Sequence, residues 1–365
     1  MTEYAALIPV NVITGFLGSG KTTLLQKLLA SPQLRDTAVL VNEFGEVGLD
    51  HHLLENVAEG TLLLDNGCLC CALRGDLQES LRDLFSRRER GEIPRFQRVV
   101  IETSGLADPV PIAYTVLAEP VIQHHFRLGN IVTTIDAVNG RGQLDRNSES
   151  VKQAAVADRL ILTKTDLASA GQVNALRMEL RRLNVGAVLI DSGTDDLDPE
   201  RLLTDDTYDE VSRAREVDRW LLDEGLNSGI SEHKHGSHAH DEIYSFCVKY
   251  DVPLDWTAFG VWMTMLLNRH GDKVLRIKGL LNVEGVATPV LINGVQHIVH
   301  PPTHLERWPD TDRRSRIIFI VRGLSQHRIE ASLSAFNMLA NPVSLAGVPV
   351  KDTAQPALGA SLSRP

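Results

Sequence analysis

The chain has 365 residues, 43% of them hydrophobic, which is too long for one small domain and supplies enough apolar side chains for two cores. Its 37 basic and 47 acidic residues give a net charge of −10, which argues against a nucleic-acid-binding surface. No apolar run reaches the roughly 20 residues of a membrane helix, and residues 1–10 lack the pattern of a secretory signal, so we expect a cytoplasmic protein without nucleic-acid or membrane partners.

The first predicted elements are a strand over residues 10–14, a glycine-rich loop and a helix from residue 22. The loop reads G-F-L-G-S-G-K-T, the G-x-x-x-x-G-K-T pattern of a phosphate-binding loop. Backbone N–H groups of such a loop surround phosphates, its Lys reaches the terminal phosphates, and its Thr hydroxyl holds Mg²⁺. The predicted phosphate-binding residues are Gly15, Gly18, Ser19, Gly20, Lys21, Thr22 and Thr23.

Short apolar runs alternate with helical stretches as far as about residue 200. Several runs are rich in Val, Ile and Leu without alternation, as in strands that are buried on both faces of a parallel sheet. The sequence therefore predicts an α/β P-loop NTPase domain over residues 1–200, with a mainly parallel sheet and crossover helices. Its further strands are predicted at residues 38–41, 61–64, 98–101, 131–135, 159–162 and 187–190, with helices at 72–90 and 170–183.

The composition changes after residue 200. Residues 201–242 are polar and rich in acidic residues and His, which predicts a helix followed by an exposed linker. Residues 243–340 show a β-α-β-β-β-α pattern, typical of a smaller α+β domain, and residues 341–365 predict a disordered tail. The predicted elements of this second domain are strands at 243–250, 274–283, 290–293, 296–299 and 316–321, and helices at 254–269 and 325–339.

A second nucleotide motif, E-T-S-G, ends the strand predicted at residues 98–101. Glu102 is placed to organise Mg²⁺, and the backbone N–H of Gly105 to meet a γ-phosphate. With the phosphate loop, the motif gives three candidate catalytic residues, Lys21, Thr22 and Glu102.

A third motif, T-K-T-D, ends the strand predicted at residues 159–162. A carboxylate at Asp166 can accept hydrogen bonds from both N–H groups on the Watson–Crick edge of guanine, a pair that adenine lacks. Lys164 and Asp166 therefore predict GTP as the nucleotide. The motif departs from the common guanine pattern because Thr163 stands where Asn usually precedes the Lys.

Three thiols lie within four residues at Cys68, Cys70 and Cys71, after the strand predicted at 61–64. Such a cluster suits a thiophilic metal such as Zn²⁺ or Cu(I), although a redox pair or buried thiols would give the same letters. A C-x-C-C segment alone cannot close a four-ligand site, so the site stays open or another side chain completes it. Glu46 is our first candidate for that ligand, in a loop over residues 42–50 placed to sense the γ-phosphate.

Four histidines lie within residues 233–240, where neutral imidazoles can collect Zn²⁺, Ni²⁺ or Co²⁺ weakly or simply form a polar linker. The fourth cysteine, Cys247, lies on an alternating strand and is predicted to be a core residue.

Taken together, the motifs G-F-L-G-S-G-K-T-T, N-E-F-G-E, G-C-L-C-C, E-T-S-G-L-A-D-P and T-K-T-D resemble the CobW-type members of the SIMIBI-class G3E GTPases. The resemblance also extends to the C-terminal domain of that family. It implies slow GTP hydrolysis with Mg²⁺ at Thr22 and Glu102, coupled to delivery of a divalent metal to a client metalloprotein. By position, Cys68, Cys70 and Cys71 would hold the transferred metal. Some relatives have a further Glu where this chain has Val41.

The resemblance leaves the metal and the client open. Zinc is the first expectation, with a cobalt chaperone for cobalamin biosynthesis or a nitrile hydratase activator as alternatives. Two readings of another class are a passive zinc reservoir, which would show no turnover, and a P-loop small-molecule kinase, which would move phosphate to a substrate. The chain is expected to be a monomer or a nucleotide-dependent homo-oligomer.

Overall fold

The computed structural model describes residues 6–41, 62–65, 74–193, 197–204, 217 and 243–340. Most of the predicted linker and all of the predicted tail lie outside these ranges.

Within the described residues, seven strands form one parallel sheet in the spatial order β3-β2-β4-β1-β5-β6-β7. The pairing confirms the predicted parallel sheet, with β1 at its centre. Because all strands run the same way, their carboxyl ends meet at one edge, where ligands bind in such sheets. The strands are β1 Ile8–Gly15, β2 Thr37–Val41, β3 Leu62–Asp65, β4 Arg98–Glu102, β5 Phe126–Asp136, β6 Arg159–Thr163 and β7 Val188–Asp191.

Helices cover both faces of this sheet. Helices α1 and α7 share one core with Ile13, whereas α2, α3, α5 and α6 share the other with Val12. Neighbouring residues of one strand thus enter opposite cores, which explains the continuous apolar runs. Helices α3, α4 and α5 are additions to the predicted elements, since seven to nine residues show too little periodicity to stand out. The helices are α1 Lys21–Leu29, α2 Arg74–Glu89, α3 Val110–Ala118, α4 Gly140–Arg146, α5 Ser148–Val156, α6 Ala170–Leu183 and α7 Pro199–Leu203.

The second domain is an antiparallel sheet in the order β11-β10-β9-β13-β8, with β12 paired to β10. Helices α8 and α9 cover one face, where Trp262, Leu333 and Phe319 are buried together. The predicted α+β domain is confirmed, but the strand predicted at 296–299 begins only at Ile298, because Gln296 turns the chain with a φ of 49°. The elements are β8 Ile243–Tyr250, α8 Trp256–His270, β9 Val274–Leu281, β10 Val290–Val295, β11 Ile298–Val299, β12 Thr303–His304, β13 Ser315–Arg322 and α9 Gln326–Ala340.

The other face of the second sheet packs on the first domain. Leu275, Val295 and Ile320 are buried in the same core as α5 and α6. Beside them, Asp158 of the first domain pairs with Arg276 and, at 3.2 Å, with Lys278 of β9. Burial would raise the pKa of Asp158, but the positive charges of Arg276 and Lys278 outweigh it and hold the pKa well below its usual value. The two domains are therefore joined by a shared core and a buried ion pair.

Candidate nucleotide site

The glycine loop between β1 and α1 is fixed against β5. Ser19 Oγ lies 2.6 Å from Thr134 Oγ1 in a buried hydrogen bond. At Gly15, φ is +144° and an added Cβ would lie 2.3 Å from Thr134 Oγ1, so only glycine fits there. At Gly20, just before α1, φ is +91°. This geometry turns the chain tightly into α1, and the first N–H groups of such a helix are suited to bind phosphates.

Lys21 folds back over this loop. Its Nζ donates hydrogen bonds to the carbonyl oxygens of Gly15 at 3.0 Å and Phe16 at 3.4 Å. The ammonium group is therefore held against the glycine loop, and the Lys of this motif is the residue that reaches terminal phosphates.

Thr22 and Glu102 meet at the end of β4. Thr22 Oγ1 donates to Glu102 Oε1 at 2.7 Å, and the Glu102 side chain is buried. A hydroxyl and a carboxylate oxygen are the hard ligands that Mg²⁺ prefers. The donor set therefore fits a magnesium ion beside the phosphate loop.

The loop after β4 lies directly against the glycine loop. An added Cβ at Gly105 would come within 2.7 Å of Leu17 N and 2.8 Å of Leu17 Cα, which are backbone atoms that cannot turn aside. Gln153 of α5, buried, holds the same loop by donating from Nε2 to Gly105 O at 3.2 Å and Ala107 O at 2.9 Å. Sequence reasoning missed Gln153, since its partners lie 48 and 46 residues earlier in the chain.

The T-K-T-D motif reaches the glycine loop from β6. Thr163 Oγ1 donates to Ser19 O at 2.7 Å, so a hydroxyl ties the two motifs together where the common pattern has an Asn amide. Lys164 adopts a left-handed φ of 56°, and its Nζ donates to Gly18 O at 2.7 Å. Asp166 lies exposed on the next turn, so its carboxylate is accessible to a base.

Asp136, at the end of β5, is the second partner of Lys164 and was also missed. Its Oδ2 accepts from Lys164 Nζ at 2.8 Å. Burial alone would raise the pKa of Asp136, but hydrogen bonds from Lys164 and Asn139 outweigh it and hold the pKa below its usual value. The signal that could have found it is an Asp at the carboxyl end of a predicted parallel strand, beside the strand that carries T-K-T-D.

Asp191 supports the turn that carries Asp166. Its Oδ1 accepts from Thr165 Oγ1 at 2.7 Å, and its Oδ2 from Arg177 Nη2 at 2.7 Å. Burial alone would raise the pKa of Asp191, but hydrogen bonds from Thr165, Gly193 and Arg177 lower it by more. The pKa of Asp191 therefore lies below its usual value. An ionised Asp191 thus fixes the start of the turn.

The predicted transfer-metal residues Glu46, Cys68, Cys70 and Cys71 lie outside the described residues, as do residues 233–240. In the part of the chain that the structure describes, no group of three or more His, Cys, Asp or Glu side chains forms a metal cluster. Nor do the described ranges contain a helix long and apolar enough to cross a membrane.

Comparison with known proteins matches both domains. Residues 9–191 match the family model "CobW/HypB/UreG, nucleotide-binding domain", and residues 243–337 match "Cobalamin synthesis protein cobW C-terminal domain". The zinc chaperone YjiA of Escherichia coli is 32% identical, over 90% of this chain and 98% of its own. Zinc-regulated GTPase metalloprotein activator 1 of Schizosaccharomyces pombe is 29% identical, over 88% and 84%. The crystal structure of Zn(II)-bound YjiA GTPase superposes with a TM-score of 0.66 at 29% identity, over 90% of this chain and 99% of that one.

Proposed function

Since the chain belongs to the CobW/HypB/UreG family of P-loop GTPases, we propose that it is a GTP-hydrolysing metallochaperone that carries zinc and passes it to a client metalloprotein. The GTP-binding part of this proposal rests on one observation, which is that three sequence motifs meet at one edge of the sheet. Thr22 bonds Glu102, and Lys164 bonds Gly18 of the glycine loop. The zinc half is supported by the names of the relatives and by the chemistry of clustered thiols.

In this proposal, separate residues bind the phosphates, the base and the magnesium ion of the nucleotide. Backbone N–H groups of the glycine loop and Lys21 bind the phosphates, and Asp166 accepts from guanine while Lys164 lies beside it. Thr22 and Glu102 would hold Mg²⁺, which supplies positive charge to the β- and γ-phosphates. The N–H of Gly105 meets the γ-phosphate, in a loop whose position Gln153 fixes.

Zinc is the cargo of the proposed cycle. Cys68, Cys70 and Cys71 would bind it as thiolates, with Glu46 as the ligand that depends on the nucleotide state. The γ-phosphate would order residues 42–50 and bring Glu46 to the thiolates, so hydrolysis loosens the metal. A thousandfold change in zinc affinity requires about 4 kcal/mol of differential binding, which the loss of one or two ligands can supply. Equal zinc affinities with GDP and with a non-hydrolysable GTP analogue would refute this coupling.

The test is phosphate release from GTP by the purified chain, with and without stoichiometric Zn²⁺, beside a Cys70→Ala/Cys71→Ala double variant. We expect zinc to change turnover in the wild type and not in the double variant. Cys247→Ala is the matched control, because Cys247 is a half-buried residue of the second sheet and should leave the zinc response intact. Turnover that ignores zinc in all three proteins would refute the link between the thiols and the nucleotide site. Phosphate transfer to a substrate instead of water would indicate a kinase.

A further inference from the structure

The Asp136 carboxylate connects three parts of the nucleotide edge. Its Oδ1 accepts from the backbone N–H groups of Val138 at 2.8 Å and Asn139 at 3.0 Å, which shapes the turn into α4. Its Oδ2 accepts from Lys164 Nζ at 2.8 Å and Asn139 Nδ2 at 3.1 Å. The Asp136 side chain is 2% exposed, whereas that of Lys164 is 38% exposed. The buried member of the pair therefore anchors the accessible one.

Sheet register makes this anchor rigid. Asp136 lies opposite Thr163 in the β5–β6 pair, so the residue before Lys164 is fixed beside it. Ala137 N donates to Thr163 O at 2.9 Å and continues the pairing beyond the strand end. The Asp136 carboxylate is thus fixed relative to the T-K-T-D strand.

Two hydrogen-bond acceptors orient the Lys164 ammonium in the described residues. Its described hydrogen-bond acceptors are Gly18 O, at 2.7 Å, and Asp136 Oδ2. A lysine side chain has four rotatable bonds, and fixing them costs rotamer entropy. A charge-assisted bond to a buried carboxylate offsets that cost before any nucleotide arrives.

We propose that Asp136 is a positioning residue for the guanine nucleotide, which acts by holding the Lys164 ammonium between the glycine loop and the base-binding strand. The inference rests on the proposed function, because it assumes that Lys164 contacts the nucleotide. Asp136 itself touches no nucleotide group in this assignment. It determines where the Lys164 ammonium lies, so it sets the affinity for guanine nucleotides and leaves the hydrolytic step unchanged.

The test uses Asp136→Asn in the full chain. The Asn oxygen can still accept from the N–H groups of Val138 and Asn139, so the turn into α4 is retained, while its amide N–H groups face Lys164 in place of an acceptor. Asn139→Ala is the matched control, since it removes one side-chain bond to the same carboxylate without touching Lys164. Lys164→Met and the Asp136→Asn/Lys164→Met double variant complete a cycle.

The measurements are the Kd for a fluorescent GDP and the turnover at saturating GTP. We expect Asp136→Asn to raise the Kd about tenfold, with turnover within about twofold of wild type. Asn139→Ala should change the Kd by less than about twofold. The double variant should bind no more weakly than Lys164→Met, because Asp136 acts through Lys164. A thermal melt of each variant checks that the fold is kept.

Two results would overturn the assignment. Unchanged GDP affinity in Asp136→Asn would show that Lys164 needs no anchor, and additive losses in the double variant would show that Asp136 acts independently of Lys164. In both cases the wild type still binds GDP, so the proposed function stands. A wild type that binds no guanine nucleotide would overturn the proposed function together with this inference.

Discussion

Thr22 Oγ1 donates a 2.7 Å hydrogen bond to Glu102 Oε1, across 80 residues of sequence. The bond joins the first turn of α1 to the end of β4 and sets the spacing between the two proposed oxygen ligands of Mg²⁺. A helix start and a strand end in the core of one sheet are among the most rigid parts of such a domain. The two residues that we propose as Mg²⁺ ligands are therefore already in contact in this structure.

The Glu102→Gln variant tests this pair. The new amide oxygen can still accept from Thr22, so the fold is retained, but the negative charge for Mg²⁺ is lost. We expect turnover to fall about 100-fold, equivalent to about 2.7 kcal/mol of barrier, and the Mg²⁺ dependence to shift to higher concentration. Phosphate release over a magnesium titration measures both. The control is Glu89→Gln, an exposed change at the far end of α2, whose turnover should match that of wild type. If Glu102→Gln also kept wild-type turnover, Glu102 would not belong to the site.

The Gln153→Met variant tests the clamp on the loop that carries Gly105. Methionine has nearly the same shape but donates no hydrogen bond, so Gly105 O and Ala107 O lose their donor. Turnover should fall about tenfold while GDP affinity changes little, because the proposed contact of this loop is with the γ-phosphate, which GDP lacks. Lys152→Met is the control on the same helix, since it removes only the partly exposed 3.7 Å pair with Asp108. Equal behaviour of the two variants would contradict the assignment.

The Asp166→Asn variant should change the preferred base. An Asn oxygen can accept from the N1–H of xanthine while its amide donates to the xanthine 2-carbonyl, whereas guanine offers an amino group there. We therefore expect at least about tenfold weaker GDP binding and stronger binding of xanthosine diphosphate. Competition between the two diphosphates gives the ratio. If Asp166→Asn keeps its preference for GDP, the base is held by other residues.

The Asp158→Asn variant tests the bond between the domains. It leaves the buried charges of Arg276 and Lys278 without their carboxylate, which costs about 3–5 kcal/mol of folding free energy and lowers the melting temperature. Glu92→Gln, which breaks an exposed ion pair with Arg90, should leave the melting temperature unchanged.

The same pair makes stability depend on pH. The pKa of Asp158 is lower in the folded than in the unfolded chain, so its stabilising contribution is complete above the ordinary value of about 3.9 and is lost as the pH falls below it. Between pH 5 and 3, the melting temperature should therefore fall more steeply for wild type than for Asp158→Asn. Parallel slopes would mean that the ion pair contributes nothing to acid sensitivity.

Local sequence patterns were sufficient to predict the parallel sheet and to locate the three nucleotide motifs along the chain. The loop over residues 15–21 is recognisable because its backbone geometry restricts the residue types within a few positions. Lys164 lies beside the glycine loop because both follow strands of the same parallel sheet.

Long-range partners were not predictable from the pattern. Asp136 and Lys164 are 28 residues apart, and Asp158 and Arg276 are 118 apart. A buried Asp or Gln carries no periodic signal of its own, and its role depends on which strands become neighbours. Thr163 was likewise not predictable from local sequence. Its hydroxyl donates to Ser19 O only because the fold brings the end of β6 beside the glycine loop.

The core shared by the two domains has a practical consequence for dissecting the molecule. A fragment that ends before Ile243 would leave the apolar surface under Leu275, Val295 and Ile320 facing water, together with an unpaired Asp158. Such a truncation is expected to aggregate instead of reporting on the GTPase alone. A chimaera that takes its second domain from a relative would need matching side chains on the inner faces of β9, β10 and β13. It would also need the positive charges of Arg276 and Lys278, which pair with Asp158.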